Sequence, residues 1–430
     1  METTQDEFAG GRRSESPQLM DSAGDSADDD DLLDSIMKEL WMDYPSQFQE
    51  LQLQSTITDP TPADSSTASF CNICLVPYRL QRGHEEAFSC QVITLGLRRL
   101  CYSFHRLPDG LEEQKWSYLR EALAPDPVRR LGTFLAAIRG SEHAARQCFS
   151  GDIVNVDSDR FILTMLLDAC FVLQVLLKET RRRPVSPDDP IFRDRLLFHK
   201  LKRDLLLLEN QIPFVLLQRL YDLIGSPNEG ITASLLTVVQ EFFRDRIEAA
   251  SRVDNPKHFL HLLHSNLFPD VDGSKVSAPV ADLKPFPTAT QLVAAGAEFR
   301  SSSADRLDIG FEDGVIRIPR LCIDDDTKSL ICNLTACEQL HPSCGSSVAA
   351  YTFFMHRLIN TVEDVAVLRS KGIISNWLGC DQQVVDLFNE LGKNITIRPD
   401  EVYLADVIGR IRKYHCSSRS IRSDCGPPLF

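Results

Sequence analysis

The stretch from Arg203 to Leu220, RDLLLLENQIPFVLLQRL, constrains the fold of this chain more than any other. It joins two strongly apolar helical runs through a polar elbow of three residues, Glu209, Asn210 and Gln211. Pro213 has no N–H and cannot continue the first helix, but it suits the first turn of a second. Asn210 tolerates the left-handed conformation that often ends a helix. We therefore predict helices at about 191–209 and 213–225, separated by the elbow.

The elbow places three hydrogen-bonding side chains between two apolar runs that must be buried. A buried polar group without a partner costs about 1–3 kcal/mol, and helix ends expose backbone groups that need partners. The pattern therefore favours a structural role for Glu209, Asn210 and Gln211, in which they satisfy backbone groups. The alternative is a ligand-binding role.

The net charge of −15 is concentrated at the N-terminus. Residues 1–65 contain 16 acidic and 3 basic residues, a net of −13, so the remaining 45 acidic and 43 basic residues leave −2. A nearly neutral body argues against nucleic acid as the partner, because such binding needs a basic face. We predict a disordered acidic tail and linker over residues 1–68, since this part is rich in Asp, Ser and Gly and then in Ser, Thr and Pro.

One segment of the tail has helical spacing. Leu32, Leu33, Ile36, Leu40 and Trp41 recur on one face after a run of aspartates, which favour a helix N-terminus. The helix either docks in the groove of a partner protein or is a marginal helix that packs on its own domain or is frayed.

The 13 cysteines are an odd number in a chain too long to need disulfide stapling. The N-terminus is acidic and polar, unlike a secretory signal, so we expect reduced thiols in an intracellular protein.

The most apolar run extends from Phe161 to Leu177. Its 17 residues lie at the lower limit for crossing a bilayer, and a central Asp168 would cost about 2.5–3.5 kcal/mol there. We predict a buried core helix in which Asp168 pairs with a backbone amide or an arginine, because an unpaired buried carboxylate is costly.

Two groups of residues are candidate metal ligands, and a structural interpretation is favoured for both. The first is Cys71-x-x-Cys74 with His84 and Cys90 downstream, but no second CxxC follows. The second is His258, His261 and His264, whose three-residue spacing lets only adjacent pairs share a helix face. We predict no metal, no cofactor and no catalytic residue, since no HExxH, GxSxG, GxGxxG or phosphate-binding loop occurs.

Strand patterns are confined to one short region, 297–323. There the segments Ala297–Arg300, Leu307–Phe311 and Val315–Ile318 read as strands, and Glu312-Asp313-Gly314 reads as a hairpin loop. The predicted fold is therefore mainly α, a multi-helical body over 69–415 with one small antiparallel β-sheet. Residues 416–430 are predicted to be an irregular tail.

Several of these motifs, taken in order, resemble the plant family of domain of unknown function 247. They are Ile73-x-x-Val76-Pro77, Thr94-Leu-Gly-Leu97, Asp204-Leu-Leu-Leu-Leu-Glu-Asn-Gln-Ile-Pro213-Phe, Leu307-Asp-Ile-Gly-Phe311 and Gly372-Ile-Ile-x-Asn376-x-Leu378-Gly379. The resemblance runs from about residue 70 to 395. It implies an interaction or recognition protein, since some members are implicated in pollen–stigma self-incompatibility, development or stress responses.

The resemblance also implies a C-terminal membrane helix, and here the chain departs from the family. After Tyr414 it reads HCSSRSIRSDCGPPLF, which indicates a truncated or alternatively spliced form without an integral membrane segment. We expect a cytoplasmic protein, peripheral to a membrane at most, that binds a protein partner. The alternative function is a hydrolase or transferase whose active site carries no recognisable motif.

Overall fold

The computed structural model describes most of the chain. The described residues are 32–38, 72–101, 111–150, 153, 155–224, 232–246, 253, 255–267, 286–302, 307–393, 395 and 403–424. They belong to two compact units, Met1–Ser46 and Gln47–Phe430. In the first unit residues 32–38 are helical, as predicted. The rest of the predicted tail and linker, 1–68, lies outside the described residues, and so do residues 268–285.

The first part of the second unit is helical. Its helices are α1 (Tyr78–Gln81), α2 (Glu85–Phe88), α3 (Gly96–Cys101), α4 (Glu112–Leu123), α5 (Pro127–Arg139), α6 (Glu142–Arg146), α7 (Ser158–Glu179), α8 (Pro190–Arg193), α9 (Arg195–Asp204), α10 (Phe214–Ile224), α11 (Leu235–Phe242) and α12 (Phe259–Leu267). Helix α7 is central to this part, because α3, α4, α5, α10 and α11 all pack against it.

Helix α7 is the predicted core helix. Asp157 begins it by accepting hydrogen bonds from the N–H groups of Asp159 and Arg160, which have no partner inside the helix. Every residue from Phe161 to Lys178 is buried. By length and composition α7 is the one described helix that could cross a bilayer, with a mean hydropathy of 2.0, but its apolar stretch is wholly buried within the protein.

The first elbow helix is shorter than predicted. Helix α9 ends at Asp204 rather than near residue 209, and a 3-10 turn occupies Leu208–Asn210. The carbonyl of Asp204 accepts a hydrogen bond from Nδ2 of Asn210, and those of Leu205 and Leu207 accept from Nε2 of Gln211. Side chains thus take the place of the next helical N–H groups, which allows the helix to end early.

The second part of the unit combines short strands with helices. Its elements are α13 (Ala289–Ala294), β1 (Glu298–Ser302), β2 (Gly310–Glu312), β3 (Val315–Pro319), β4 (Leu321–Ile323), α14 (Thr327–Leu340), α15 (Ser347–Leu358), α16 (Val362–Ser370), β5 (Ile374–Asn376), α17 (Asp381–Lys393) and α18 (Ala405–Asp424). A 3-10 turn, Pro342–Cys344, separates α14 from α15. The mainly α fold with small sheets is confirmed.

The strand pairing corrects the expected single antiparallel sheet. β3 is central in a mixed sheet, antiparallel to β2 and parallel to β1, while β4 and β5 form a separate parallel pair. The predicted hairpin loop is confirmed, since Asp313 and Gly314 both have positive φ, as a tight two-residue turn requires. The parallel pairs were missed because they depend on chain crossings that strand patterns do not encode.

The predicted irregular tail over 416–430 is wrong for residues 416–424, which belong to α18. Ile408 and Ile411 are buried and anchor this helix, and Tyr414 donates a hydrogen bond to the carbonyl of Gly296 beside the mixed sheet. Between Gly409 and Gly426 the chain has no glycine or proline, so the helix continues through the polar residues of this segment. Residues 425–430 lie outside the described part.

The burial of α7 leads to a prediction about membrane extraction. Because protein rather than lipid covers its apolar surface, this chain, expressed on its own in plant cells, should be released from a membrane fraction by alkaline carbonate. The measurement is the distribution of the chain between supernatant and pellet. Retention in the pellet without aggregation would mean that residues 161–177 cross the bilayer.

Candidate functional site

The polar elbow joins distant parts of the chain through hydrogen bonds. Oε1 of Glu209 accepts from the N–H of Val76 at 2.7 Å, and Oε2 pairs with Arg98 at 3.0 Å. The side chain of Glu209 is 2% exposed. A single carboxylate therefore fixes the segment before α1 and the helix α3 to the elbow.

The other two elbow residues are saturated with backbone partners. Oδ1 of Asn210 accepts from the N–H of Leu95 at 2.7 Å, and its Nδ2 also donates to the carbonyl of Ile93. Oε1 of Gln211 accepts from the N–H of Leu260 in α12. Every polar side-chain atom of the three elbow residues thus has a protein partner. The structural interpretation is supported, and no elbow atom is left to hold a ligand.

Asp204, one turn before the elbow, fixes a neighbouring loop. Its carboxylate accepts from the N–H groups of Gln91 and Val92 at 2.8 Å each and of Ile93 at 3.2 Å. Burial raises the pKa of Asp204 above its ordinary value, although these hydrogen bonds and the guanidinium of Arg203 act in the opposite direction. Fixing this loop also positions the backbone groups of residues 93–95 that Asn210 contacts.

Asp168, at the centre of α7, has the partners that its burial demands. Oδ1 lies 2.8 Å from Arg99 and 2.8 Å from Lys115, and Oδ2 accepts from the N–H of Gly96 at 2.9 Å. Glu112 completes the group by pairing with both cations. The predicted backbone amide and arginine are therefore both present, together with a lysine. Two carboxylates and two cations balance in charge, as a buried cluster requires.

The three histidines singled out in the sequence do not converge. The ring of His258 accepts from the N–H of His261, and the ring of His261 accepts from the N–H of Lys257. His264 lies 2.8 Å from Glu338, whose carboxylate also accepts from the first N–H groups of α15. These rings therefore stabilise the ends of α12 and α15.

No metal-binding arrangement occurs among the residues that the structure describes: no three His, Cys, Asp or Glu side chains are placed to hold an ion. Cys74 is a buried free thiol, whereas Cys71 lies outside the described residues. Burial also raises the pKa of Cys90, to about 12, so this thiol stays protonated. All the cysteines in the described ranges are free thiols.

A cleft of 790 Å³ lies between the C-terminal end of α7, helix α9, the end of α11 and the start of α14. Phe198, Phe242 and Phe243 contribute its aromatic lining. Here His199 lies 3.1 Å from Asp326, as a base lies beside an orienting carboxylate. The hydroxyls of Ser329 and Thr180 in the lining donate instead to backbone carbonyls, those of Ala87 at 2.6 Å and Leu176 at 2.7 Å.

A second surface surrounds Trp377, which follows β5 directly. Its side chain is 76% exposed, the largest value among the exposed large apolar residues of the described chain. It borders an open concavity of 710 Å³ that Arg369 and Ser375 also line. Its backbone N–H donates to the carbonyl of Ile323, so β4 and β5 hold it in place.

Sequence reasoning missed both surfaces. Trp377 stands as the unassigned position in the motif Asn376-x-Leu378, where a large aromatic residue in a polar loop is the available signal. For the cleft lined by Phe198, the run of arginines at 181–183 is a partial signal in the sequence, since Arg181 is one of its lining residues. Its other residues come from helices far apart in sequence, so only folding unites them.

The chain is similar to known plant proteins. A family model described as "Plant protein of unknown function", DUF247, matches residues 73–424. UPF0481 protein At3g47200 of Arabidopsis thaliana is 26% identical over 422 residues, which cover 90% of this chain and 86% of that protein. Putative UPF0481 protein At3g02645 of the same plant is 25% identical over 122 residues, 28% of this chain and 23% of that protein. No solved structure matches the chain.

The hydrogen bonds of the elbow predict a loss of stability when its side chains are removed. Asn210→Ala leaves the N–H of Leu95 without its acceptor, and Gln211→Leu does the same to the N–H of Leu260. Each variant should therefore lower the free energy of unfolding by about 1–3 kcal/mol. Urea unfolding measures this loss. Gln218→Ala, which removes a surface contact within α10, is the matched control and should change stability by less than about 0.5 kcal/mol. Wild-type stability of both elbow variants would contradict the structural role.

The burial of His261 predicts sensitivity to acid. Burial lowers the pKa of His261 from 6.5 to about 4, so between these values the unfolded chain binds a proton that the folded chain does not. The resulting stability is complete above pH 6.5 and falls as the pH drops towards 4, by at most about 3 kcal/mol.

Urea unfolding at about pH 7 and about pH 4.5 tests this loss. The His261→Gln variant should lose less stability on acidification than the wild type, whereas His143→Gln, at an exposed position, should match the wild type. An equal loss in all three proteins would show that His261 does not contribute.

Proposed function

This chain belongs to the plant family DUF247, and we propose that it is a non-enzymatic recognition protein that binds a protein partner. The observation that carries the proposal is the exposure of Trp377. A tryptophan left 76% exposed keeps most of its apolar surface in water, at a cost that partner binding would remove. Tryptophan is also enriched among the residues that dominate binding energy at protein interfaces.

The surroundings of Trp377 suit a protein partner. In the described sheets β5 pairs with β4 alone, and we propose that an extended segment of the partner adds to its other edge. Arg369 pairs with Asp381 at 2.8 Å beside this edge, which supplies a polar rim. An apolar anchor, a strand edge and a polar rim together make up a small recognition surface.

The buried polar groups also favour recognition over catalysis. Asp168, Glu209 and Glu338 are each engaged by protein cations or N–H groups, so their charges stabilise the fold. The alternative, a hydrolase or transferase, draws on one observation, the pair of His199 and Asp326 in the cleft. An enzyme of this kind would lose its turnover in the His199→Gln variant, whereas partner binding at Trp377 would be unaffected.

The recognition function predicts a partner that depends on Trp377. The full chain, Trp377→Ala and a control variant are used to purify proteins from plant tissue, with quantification by mass spectrometry. Tyr78→Ala is the matched control, because Tyr78 is another aromatic residue, 70% exposed. A true partner should bind the wild type and Tyr78→Ala but not Trp377→Ala.

Binding of the purified partner then measures the contribution of Trp377 to affinity. Trp377→Ala should raise the Kd for the partner by about thirtyfold or more, equivalent to about 2 kcal/mol. If every protein captured by the wild type is captured equally by Trp377→Ala, then Trp377 is not the recognition residue.

A further inference from the structure

The cleft between α7, α9, α11 and α14 has an excess of positive charge in a chain that is acidic overall. Six basic residues and four acidic residues line it: Arg181, Arg195, Lys202, Arg203, Arg244 and Arg246 against Glu179, Glu241, Asp245 and Asp326. Three of the acidic residues are already paired with cations, Glu241 with Arg182, Asp245 with Lys202, and Asp326 with Arg203 at 3.9 Å. Their charges are therefore largely offset by neighbours.

Three of the cations in the cleft have no such partner. Arg181, Arg195 and Arg244 are exposed, and within the described residues none of them forms an ion pair. Guanidinium groups bind carboxylates and phosphates through paired hydrogen bonds. Three of them around one cleft form a site for an anionic group.

The backbone holds one of these arginines in a costly conformation. Arg181 has φ of 56°, in the left-handed region that glycine normally occupies after a helix. It lies just beyond α7, where Arg182 N–H donates to the carbonyl of Leu177 at 2.8 Å. Glycine would fit this position without strain, yet the chain has an arginine whose side chain lines the cleft. Strained residues of this kind cluster at functional sites.

The cleft also has a half-buried apolar lining from Phe198 and Leu330, behind which lie the buried rings of Phe242 and Phe243. Phe198 and Phe242 meet edge to face with ring centroids 6.0 Å apart, and Phe242 and Phe243 with centroids 4.8 Å apart. Lys202 lies over the ring of Phe242, with its Nζ 5.2 Å from the centroid. This lining suits a planar or aliphatic body, and the volume of 790 Å³ lies in the range of small-molecule sites.

We propose that this cleft binds a small organic anion, with an aromatic or aliphatic body against Phe198 and Leu330 and a carboxylate or phosphate held by Arg181, Arg195 and Arg244. The site is separate from the surface around Trp377 and does not depend on the proposed recognition function. Arg181 is a ligand-binding residue in this assignment, which explains why its position has no glycine.

Three probes with one body and different charges test the assignment on the full chain. They are 1-naphthyl phosphate, 1-naphthoate and neutral 1-naphthol, and isothermal titration calorimetry measures their binding. Both anions should bind, and the affinity for naphthol should be at least about tenfold weaker. Added salt should weaken the binding of the anions alone, because it screens their charge. Tighter binding of the phosphate identifies a phosphate ester, and tighter binding of the naphthoate a carboxylate.

Arg181→Gly separates binding from folding. It removes a guanidinium and relieves the backbone strain. Its affinity for the two anions should therefore be about tenfold weaker, while its Tm should be no lower than that of the wild type. Arg244→Glu should weaken the anions at least as much. Arg129→Glu, the same charge change at an exposed arginine outside the cleft, should leave binding unchanged.

Three outcomes would overturn the assignment. In the first, naphthol binds as tightly as the anions. In the second, Arg129→Glu weakens binding as much as the cleft variants do. In the third, an acidic peptide binds at the cleft while neither naphthyl anion does, which would assign the cleft to a protein segment instead.

Discussion

The fold depends on the need to satisfy polar groups that are buried between two apolar helices. Glu209, Asn210 and Gln211 lie where α9 ends and α10 begins, and their side chains bind backbone groups near residues 76, 95 and 260. Leu208 adds a fourth connection, since its N–H donates to Asn333 in α14. The elbow is therefore the point at which the helical first part and the mixed second part of the unit are joined.

The buried charges follow the same logic on a larger scale. Asp168 with Arg99 and Lys115 ties α7 to α3 and α4, and Lys178 with Asp189 ties the end of α7 to the start of α8. A buried ion pair adds little net stability, but breaking one by removing a single partner is strongly destabilising. These pairs therefore specify which helices meet, while the apolar side chains around α7 supply most of the stabilisation.

The two surfaces for which we propose functions lie outside this buried network. The exposed Trp377 and the cleft with Arg181, Arg195 and Arg244 differ in chemistry: one is an apolar anchor beside a strand edge, the other a cationic site with an aromatic lining.

The sequence by itself determined the features that depend on local chemistry. The core helix with its paired Asp168, the structural elbow and the Asp313-Gly314 hairpin could all be predicted, because helical spacing, the cost of burying a polar group and turn geometry act over a few residues. The tertiary structure alone decided what depends on contacts between distant segments. It set the parallel pairing of β1 with β3 and of β4 with β5, and the convergence of arginines in the cleft. No local pattern encodes these features, since each partner lies far away in the chain.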